Sequence, residues 1–292
     1  MLKRMTLMVV PILLLLAAQG DFLRDIEVRD LKLDRIETPS TQDTAGISNL
    51  AKFLFGNSKI ALHPNETLVA EALTTGRDGI WITVISTGKE IQIDDRGFMP
   101  KWSPDGSLIA FLKQKVLVGK YHKGHQLYGE DELWLCGPEG GNKIKLISNT
   151  HVGEFVWSPN GDFICFEGVD STGNIDEPYY VGVVDITTGE IKKIDTGTPY
   201  NDILFSISPD SRMIAYCKPL KWELRTEWWI TDAEIFIADK DGKEKTQITD
   251  TEEVETLVKW SEDGKSLIVE QRGQDPCDVK SLRYVKIIIG KK

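Results

Sequence analysis

Trp102-Ser103-Pro104-Asp105-Gly106 is the clearest copy of a five-residue phrase that recurs along this chain. Successive copies start 40, 55, 50 and 53 residues apart, counting from a weaker first copy. Self-similarity at such a period is typical of repeat architectures, in which each copy belongs to one supersecondary unit. The weaker first copy (Leu-His-Pro-Asn-Glu) and the other three copies lie at 62–66, 157–161, 207–211 and 260–264.

Each copy has the composition of a tight turn between two buried strands. Pro presets the backbone of the second turn position, Asp suits the third, and Gly takes a positive φ at the exit. Runs that are apolar at nearly every position stand on both sides, for example 154–157 before a turn and 163–166 after it. Such runs indicate strands buried on both faces. Each phrase therefore predicts a β-hairpin.

A second hairpin follows the first in each copy. In the first copy its strands are 80–84, apolar, and 90–93, which alternates polar and apolar residues, with Gly88 in the turn between them. Alternation fits an outer strand with one solvated face. Four antiparallel strands of this kind make one blade of a β-propeller. We predict an all-β propeller of four-stranded antiparallel blades, with five blades preferred and six possible.

The repeated pattern resembles the WD-like repeat of TolB-type propellers. It consists of Trp-Ser-Pro-Asp-Gly, an apolar strand, a strand that ends in Asp, and a Gly turn, and it covers roughly residues 50–292. The resemblance implies a fold that hosts many activities. TolB itself would carry a separate α/β domain before the propeller, and we expect none here. The resemblance therefore covers the propeller alone and does not imply TolB's translocation role.

The N-terminal residues have the pattern of a signal peptide followed by a strand that could complete the last blade. Lys3 and Arg4 precede an apolar run at 5–18 and small residues at 18–20, which predicts a secretory signal peptide, with an uncleaved anchor as the alternative. The alternating stretch 26–33 fits the fourth strand that the last blade lacks, and pairing there would close the ring. We predict a signal peptide at 1–20, a closure strand and linker at 21–50, and a TolB-like propeller at 51–292.

Charge and cysteine content narrow the choice of partners. The formal net charge is −10, with 35 basic and 45 acidic residues, and no basic stripe occurs, which disfavours nucleic acid and anionic membrane surfaces. The cysteines fall in different repeats without a Cys-x-x-Cys pair, so buried free thiols are favoured, although export would permit a disulfide. No zinc spacing occurs, and we expect no cofactor. The cysteines are Cys136, Cys165, Cys217 and Cys277.

Long, unequal loops are predicted on one face of the propeller, opposite the Ser-Pro-Asp-Gly turns, and loops are where function concentrates. Exposed aromatic residues with Arg are typical of contact hot spots. The histidines could instead be solvated, and Trp228 and Trp229 could begin a long third strand and pack between blades. A metal site at the two loop histidines would need further ligands, and Glu130 and Asp131 offer oxygens whose geometry nothing in the sequence fixes, so we do not predict one. The candidate binding residues are His122, His125, His151, Trp222, Arg225, Trp228 and Trp229.

The sequence contains no nucleophile elbow, metalloprotease motif, P-loop or dinucleotide fingerprint. We therefore favour an exported, periplasmic or secreted, non-enzymatic propeller that binds a protein or peptide through its long-loop face, and that has no membrane span once the leader is removed. The alternative is a carbohydrate-acting hydrolase or lyase with its site at the propeller funnel. A purely structural envelope module is a third hypothesis.

Overall fold

The computed structural model describes residues 31–37, 60–73, 78–114, 121–122, 125–126, 131–148, 150–170, 178–197, 204–224, 228–273 and 281–291. The predicted signal peptide lies outside them. Nearly all regular structure in these ranges is β-strand, which confirms the all-β prediction. Within these ranges no helix has the length and apolar character needed to cross a bilayer.

The described strands form four-stranded antiparallel units, as predicted for propeller blades. Five such units occur among the described residues, and the number of blades in the whole chain stays a prediction. Units four and five are further joined by one parallel pair, Ala233 with Val254. A separate small hairpin pairs β8 (Tyr121–His122) with β9 (His125–Gln126). Unit one holds β2 (Ile60–Leu62), β3 (Leu68–Leu73), β4 (Gly79–Val84) and β5 (Glu90–Asp94), and unit two holds β6 (Gly97–Trp102), β7 (Ile109–Gln114), β10 (Asp131–Cys136) and β11 (Ile144–Ile147). Unit three holds β12 (Thr150–Trp157), β13 (Phe163–Asp170), β14 (Tyr180–Asp185) and β15 (Ile191–Thr196), and unit four holds β16 (Phe205–Ile207), β17 (Met213–Leu224), β18 (Trp228–Asp239) and β19 (Lys245–Gln247).

Unit five takes its fourth strand from the N-terminal part of the chain. It holds β20 (Val254–Trp260), β21 (Ser266–Arg272), β22 (Arg283–Lys291) and β1 (Leu31–Glu37), and β1 runs antiparallel to β22. An N-terminal strand does therefore complete the last unit, as predicted. Residues 26–30 of the predicted strand lie outside the described residues, and the strand ends at Glu37 rather than at Leu33, with a bulge between Leu33 and Arg35. Closure of the ring against unit one stays a prediction.

The serine of the repeated phrase holds the turn together in units two, four and five. In unit two, the Ser103 hydroxyl donates to Asp105 at 2.6 Å and accepts from the Leu108 N–H at 3.0 Å. Gly106 has φ +75°, and a Cβ there would collide with the His63 ring of unit one. Ser208 and Ser261 make the same pair of hydrogen bonds in units four and five. The phrase therefore builds the turn, and in unit two it also packs that turn on the preceding unit.

Most of the core lies between consecutive units, at contacts that we call joints. Four apolar clusters fill the one–two, two–three, three–four and four–five joints. Cys136, Cys165 and Cys217 lie buried in these clusters as free thiols, as predicted, while Cys277 lies outside the described residues. Burial raises the pKa of the Cys136 thiol to about 11, so this thiol stays protonated at neutral pH. These cysteines therefore act as small apolar side chains.

The tryptophan of the phrase bonds one unit to the one before it. The Trp102 indole N–H donates to the Ala61 carbonyl at 3.0 Å, and the Trp157 indole donates to the Lys101 carbonyl at 3.1 Å. Trp260 holds the same repeat position, yet its indole N–H has no partner among the described residues. The three indoles thus provide a natural test of what this bond contributes.

We expect Trp102→Phe to lower the free energy of unfolding by about 1 kcal/mol more than Trp260→Phe does. Both changes shrink a mostly buried ring, but only Trp102→Phe leaves a buried carbonyl without its donor. Urea denaturation of the two variants measures the difference. Equal losses would show that the indole bond to Ala61 adds nothing to stability.

Candidate functional site

Unit four carries the largest departure from the repeat. Its β17 and β18 run for 12 residues each, whereas the equivalent strand β7 of unit two ends at Gln114, the position that corresponds to Pro219. The extra residues, 220–224 and 228–232, form a two-stranded projection that we call the arm. The arm leaves the face opposite the Ser-Pro-Asp-Gly turns, which is the face predicted to carry function.

Three predicted tryptophans lie on the arm. Trp222 pairs with Ile230, and its residue surface is 40 % exposed. Trp229 pairs with Glu223 and Trp228 with Leu224, so both begin a long third strand, although the side chains of Trp228 and Trp229 lie outside the described part. Arg225 also lies outside the described residues. Trp222 is therefore the one predicted aromatic whose exposure the structure establishes.

A depression of about 260 Å³ lies at the base of the arm. It is bounded by the arm on one side and by the link between units four and five on the other. The Lys221 ammonium pairs with Asp232 at 2.5 Å, and the Arg272 guanidinium donates to the Ile230 carbonyl at 2.9 Å. The first contact joins the two strands of the arm, and the second fastens the arm to unit five. The lining residues are Lys221, Thr231, Asp232, Thr251 and Glu252.

Two buried carboxylates meet at Thr251, on the lining of this depression. The Thr251 N–H donates to Glu234 Oε1 at 2.8 Å, and the Thr251 hydroxyl donates to Glu255 Oε1 at 3.2 Å. Each glutamate is 1 % exposed, and each Oε2 lacks a hydrogen-bond partner among the described residues. Burial raises the pKa of Glu255 to about 7, and the charge of Glu234 adds to this rise. Burial also raises the pKa of Glu234, and the charges of Asp232 and Asp250 add to it.

A second carboxylate of this kind lies between units two and three. Asp131 begins β10, and its Oδ1 has no hydrogen-bond partner among the described residues. Burial raises the pKa of Asp131 to about 6. His151 Nδ1 lies 3.4 Å from Asp131 Oδ2, and the His151 side chain is 31 % exposed. This pair sits at the long-loop end of the inner strand of unit three.

The predicted residues do not form one cluster in the described structure. His122 and His125 face each other in register in the small β8–β9 hairpin, whose side chains lie outside the described part. His151 belongs to the two–three joint and Trp222 to the arm. No group of three or more metal-ligating side chains occurs among the described residues. The long-loop face therefore offers two separate candidate regions.

Sequence reasoning missed Glu234 and Glu255, and it considered Asp131 only as an oxygen ligand for a metal. The available signal was position within the repeat, because Glu234 and Glu255 are acids at positions that are buried and not acidic in unit three. The residue of unit three equivalent to Glu234 is the buried Tyr180, and the residue equivalent to Glu255 is the buried Val152. An acid at a position that is buried in another copy marks either an ion pair or a functional group.

No protein-family model and no curated protein sequence matches this chain. Among solved structures, oligogalacturonate lyase from Vibrio parahaemolyticus is 10% identical with a TM-score of 0.54, covering 78% of this chain and 65% of that one. Dipeptidyl peptidase 4 from Porphyromonas gingivalis is 10% identical with a TM-score of 0.51, covering 81% of this chain and 39% of that one. A putative TolB from Agrobacterium tumefaciens is 16% identical with a TM-score of 0.47, covering 75% and 71%. The chain has the predicted β-propeller fold, which it shares with solved structures of enzymes, and no activity follows from that fold.

Proposed function

We propose that the protein is an exported propeller that binds a protein or peptide partner through the arm. The observation that supports this role is Trp222, a large aromatic side chain left 40 % exposed on a projection formed by the two longest strands of the described residues. Tryptophan is enriched among residues that carry binding energy at interfaces. The Lys221–Asp232 pair and the Arg272–Ile230 bond hold the base of the arm, which reduces the entropy lost on binding.

Replacing Trp222 by Ala should weaken capture of the partner from an envelope extract by roughly 30-fold, the cost of about 2 kcal/mol for an interface hot spot. Ile191→Ala is the matched control, because Ile191 is 39 % exposed but begins β15 on the turn face. The readout is the amount of each captured protein against bait concentration. If Trp222→Ala captured the same proteins as the wild type at the same concentrations, the arm would not be the binding face.

A second candidate function is acid–base catalysis on a carbohydrate. It is favoured by the Asp131–His151 pair, in which a buried carboxylate lies beside a half-exposed imidazole at the long-loop end of an inner strand. A carboxylate beside Nδ1 orients an imidazole whose other nitrogen can accept a proton from a substrate. Turnover of oligogalacturonates by the wild type, lost in His151→Asn, would support this function, whereas turnover that survives His151→Asn would exclude this pair as its site.

A further inference from the structure

One edge of β17 has no partner strand in the arm among the described residues. On that side, β16 pairs with β17 only over residues 214–216, and the Cys217 N–H donates to the Leu204 carbonyl at 2.9 Å just beyond that pairing. From Pro219 onward, β17 pairs only with β18 among the described strands. Proline has no N–H and occurs in sheets mainly at edges, which fits its place where β16 ends. We call residues 220–224 on this side of β17 the open edge.

The open edge stands clear of the rest of unit four. Four consecutive residues, 220–223, are exposed. The Lys221 side chain is 75 % exposed although its ammonium pairs with Asp232. Four consecutive side chains of a strand cannot all point to one face, so both faces of the strand are open to solvent. An exposed edge with unpaired backbone groups is a template on which another strand can pair.

The sequence of the open edge is complementary to itself when it is read backwards. It runs Leu220-Lys221-Trp222-Glu223-Leu224, with opposite charges on either side of the tryptophan and a leucine at each end. An antiparallel pairing of two such edges centred on Trp222 places Lys221 of each strand opposite Glu223 of the other. It also places leucine opposite leucine. Opposite charges and apolar residues that face each other across two strands are favourable pairs, whereas like charges in that position are destabilising.

Self-complementarity of this kind is what a two-fold axis requires. Two identical chains related by a two-fold axis meet through the same residues, so the contact surface must match itself. Lys221 can take part without leaving Asp232, because an ammonium has three N–H donors. Exposed ion pairs contribute little affinity, so the two Lys221–Glu223 pairs would mainly fix the register, and Trp222 would supply most of the contact.

We propose that the arm pairs with the arm of a second copy of this chain, antiparallel along the two open edges and centred on Trp222. The proposal rests on the proposed partner-binding function and names the partner. Backbone N–H and C=O groups of the two edges exchange hydrogen bonds, as in other complexes formed by strand addition. Lys221 and Glu223 form one ion pair on each side of the axis, and the two Trp222 side chains pack beside it.

The test measures the dimer dissociation constant of the mature chain (residues 21–292) by sedimentation equilibrium. Salt at about 0.15 M screens the repulsion between two acidic chains beyond about 8 Å. We expect the wild type to dimerise and the dissociation constant to rise about tenfold or more in Glu223→Lys, where lysine faces lysine on both sides of the axis. Lys221→Glu should weaken the dimer similarly. Glu262→Lys, the same charge change on the opposite face of unit five, should dimerise as the wild type does.

Mixing the two weakened variants separates loss of pairing from damage to the arm. An equimolar mixture of Glu223→Lys and Lys221→Glu should dimerise again, because opposite charges then face each other at both positions. The register is tested by oxidation: a mixture of Lys221→Cys and Glu223→Cys should form a covalent dimer, since directly opposite residues lie within disulfide reach. Either cysteine variant alone should form far less, because its two copies would lie about 7–8 Å apart.

Three outcomes would overturn the proposal. They are a wild type that stays monomeric at about 1 mM chain, a dimer that Glu223→Lys does not weaken, and a mixture of the charge variants that does not dimerise. The proposed function is measured separately. A monomeric chain that captures another protein, and loses it in Trp222→Ala, would keep the arm as the binding face and would show that its partner is not a second copy.

Discussion

Deletion of residues 21–36 is expected to lower the midpoint of thermal unfolding by about 10 °C or more. The deletion removes all but Glu37 of β1, which pairs with β22 from Leu31 opposite Lys291 to Glu37 opposite Lys286. Without β1, the backbone N–H and C=O groups along one side of β22 lose their partners. An exposed strand edge also offers a template for pairing with another chain, so the truncated protein should aggregate sooner on heating.

Deletion of residues 21–30 alone is the matched control, because it leaves β1 intact. This shorter deletion should melt close to the intact mature chain. Calorimetry measures the melting temperature of the two deletion variants, and light scattering measures their aggregation. Comparing the two variants separates the effect of losing β1 from the effect of losing residues 21–30. An unchanged melting temperature after deletion of 21–36 would show that unit five does not depend on its N-terminal strand.

Glu255→Gln should stabilise the protein at pH 8 and have little effect at pH 4.5. The ordinary pKa of this carboxyl is 4.5, and burial raises it to about 7 in the folded protein, so the folded state holds the proton more tightly than the unfolded state does. For such a group, stability is greatest below the unfolded pKa and falls as pH rises towards the folded pKa. The shift corresponds to about 3 kcal/mol at most, lost between pH 4.5 and pH 7.

A glutamine at this position mimics the protonated acid and can still accept from Gln271 and Thr251. Urea denaturation at pH 4.5 and pH 8 should therefore show a pH-dependent stability in the wild type that is reduced in Glu255→Gln. Glu234 is also buried and has a raised pKa, so the stability of Glu255→Gln should still depend partly on pH. Glu262→Gln controls for the change in net charge. A wild type whose stability did not change between these pH values, or a variant less stable at pH 8, would contradict this account.

The two large effects reflect different features of the repeat. Unit five depends on a strand from the other end of the chain, so its stability is tied to long-range pairing between β1 and β22. The four–five joint is weakened by the acids that make it a candidate site, because burial disfavours the charged form of Glu234 and Glu255. A site that costs stability is common where buried charge serves binding or catalysis.

Local pattern was enough to predict the blades. The turn residues of the Trp-Ser-Pro-Asp-Gly copies and the apolar runs around them act over a few residues, so each hairpin can be read from the order of residues alone. The hydrogen bond that the Leu108 N–H donates to the Ser103 hydroxyl is one example of such local chemistry. The N-terminal strand was also predictable from the missing fourth strand, although its end at Glu37, four residues beyond the predicted Leu33, was not.

The chemistry of the long-loop face could not be read in the same way. The pairing of Asp131 with His151 joins residues from two units, and the contacts of Glu234 and Glu255 with Thr251 join strands β18 and β20 through the link between them. Short-range turn and strand preferences thus settle which hairpins form. Burial of these acids depends on which units pack together, and the raised pKa values and unpaired oxygens at the joints follow from that burial. Packing brings residues that are far apart in sequence into contact in a low-dielectric environment, and no local pattern encodes such contacts.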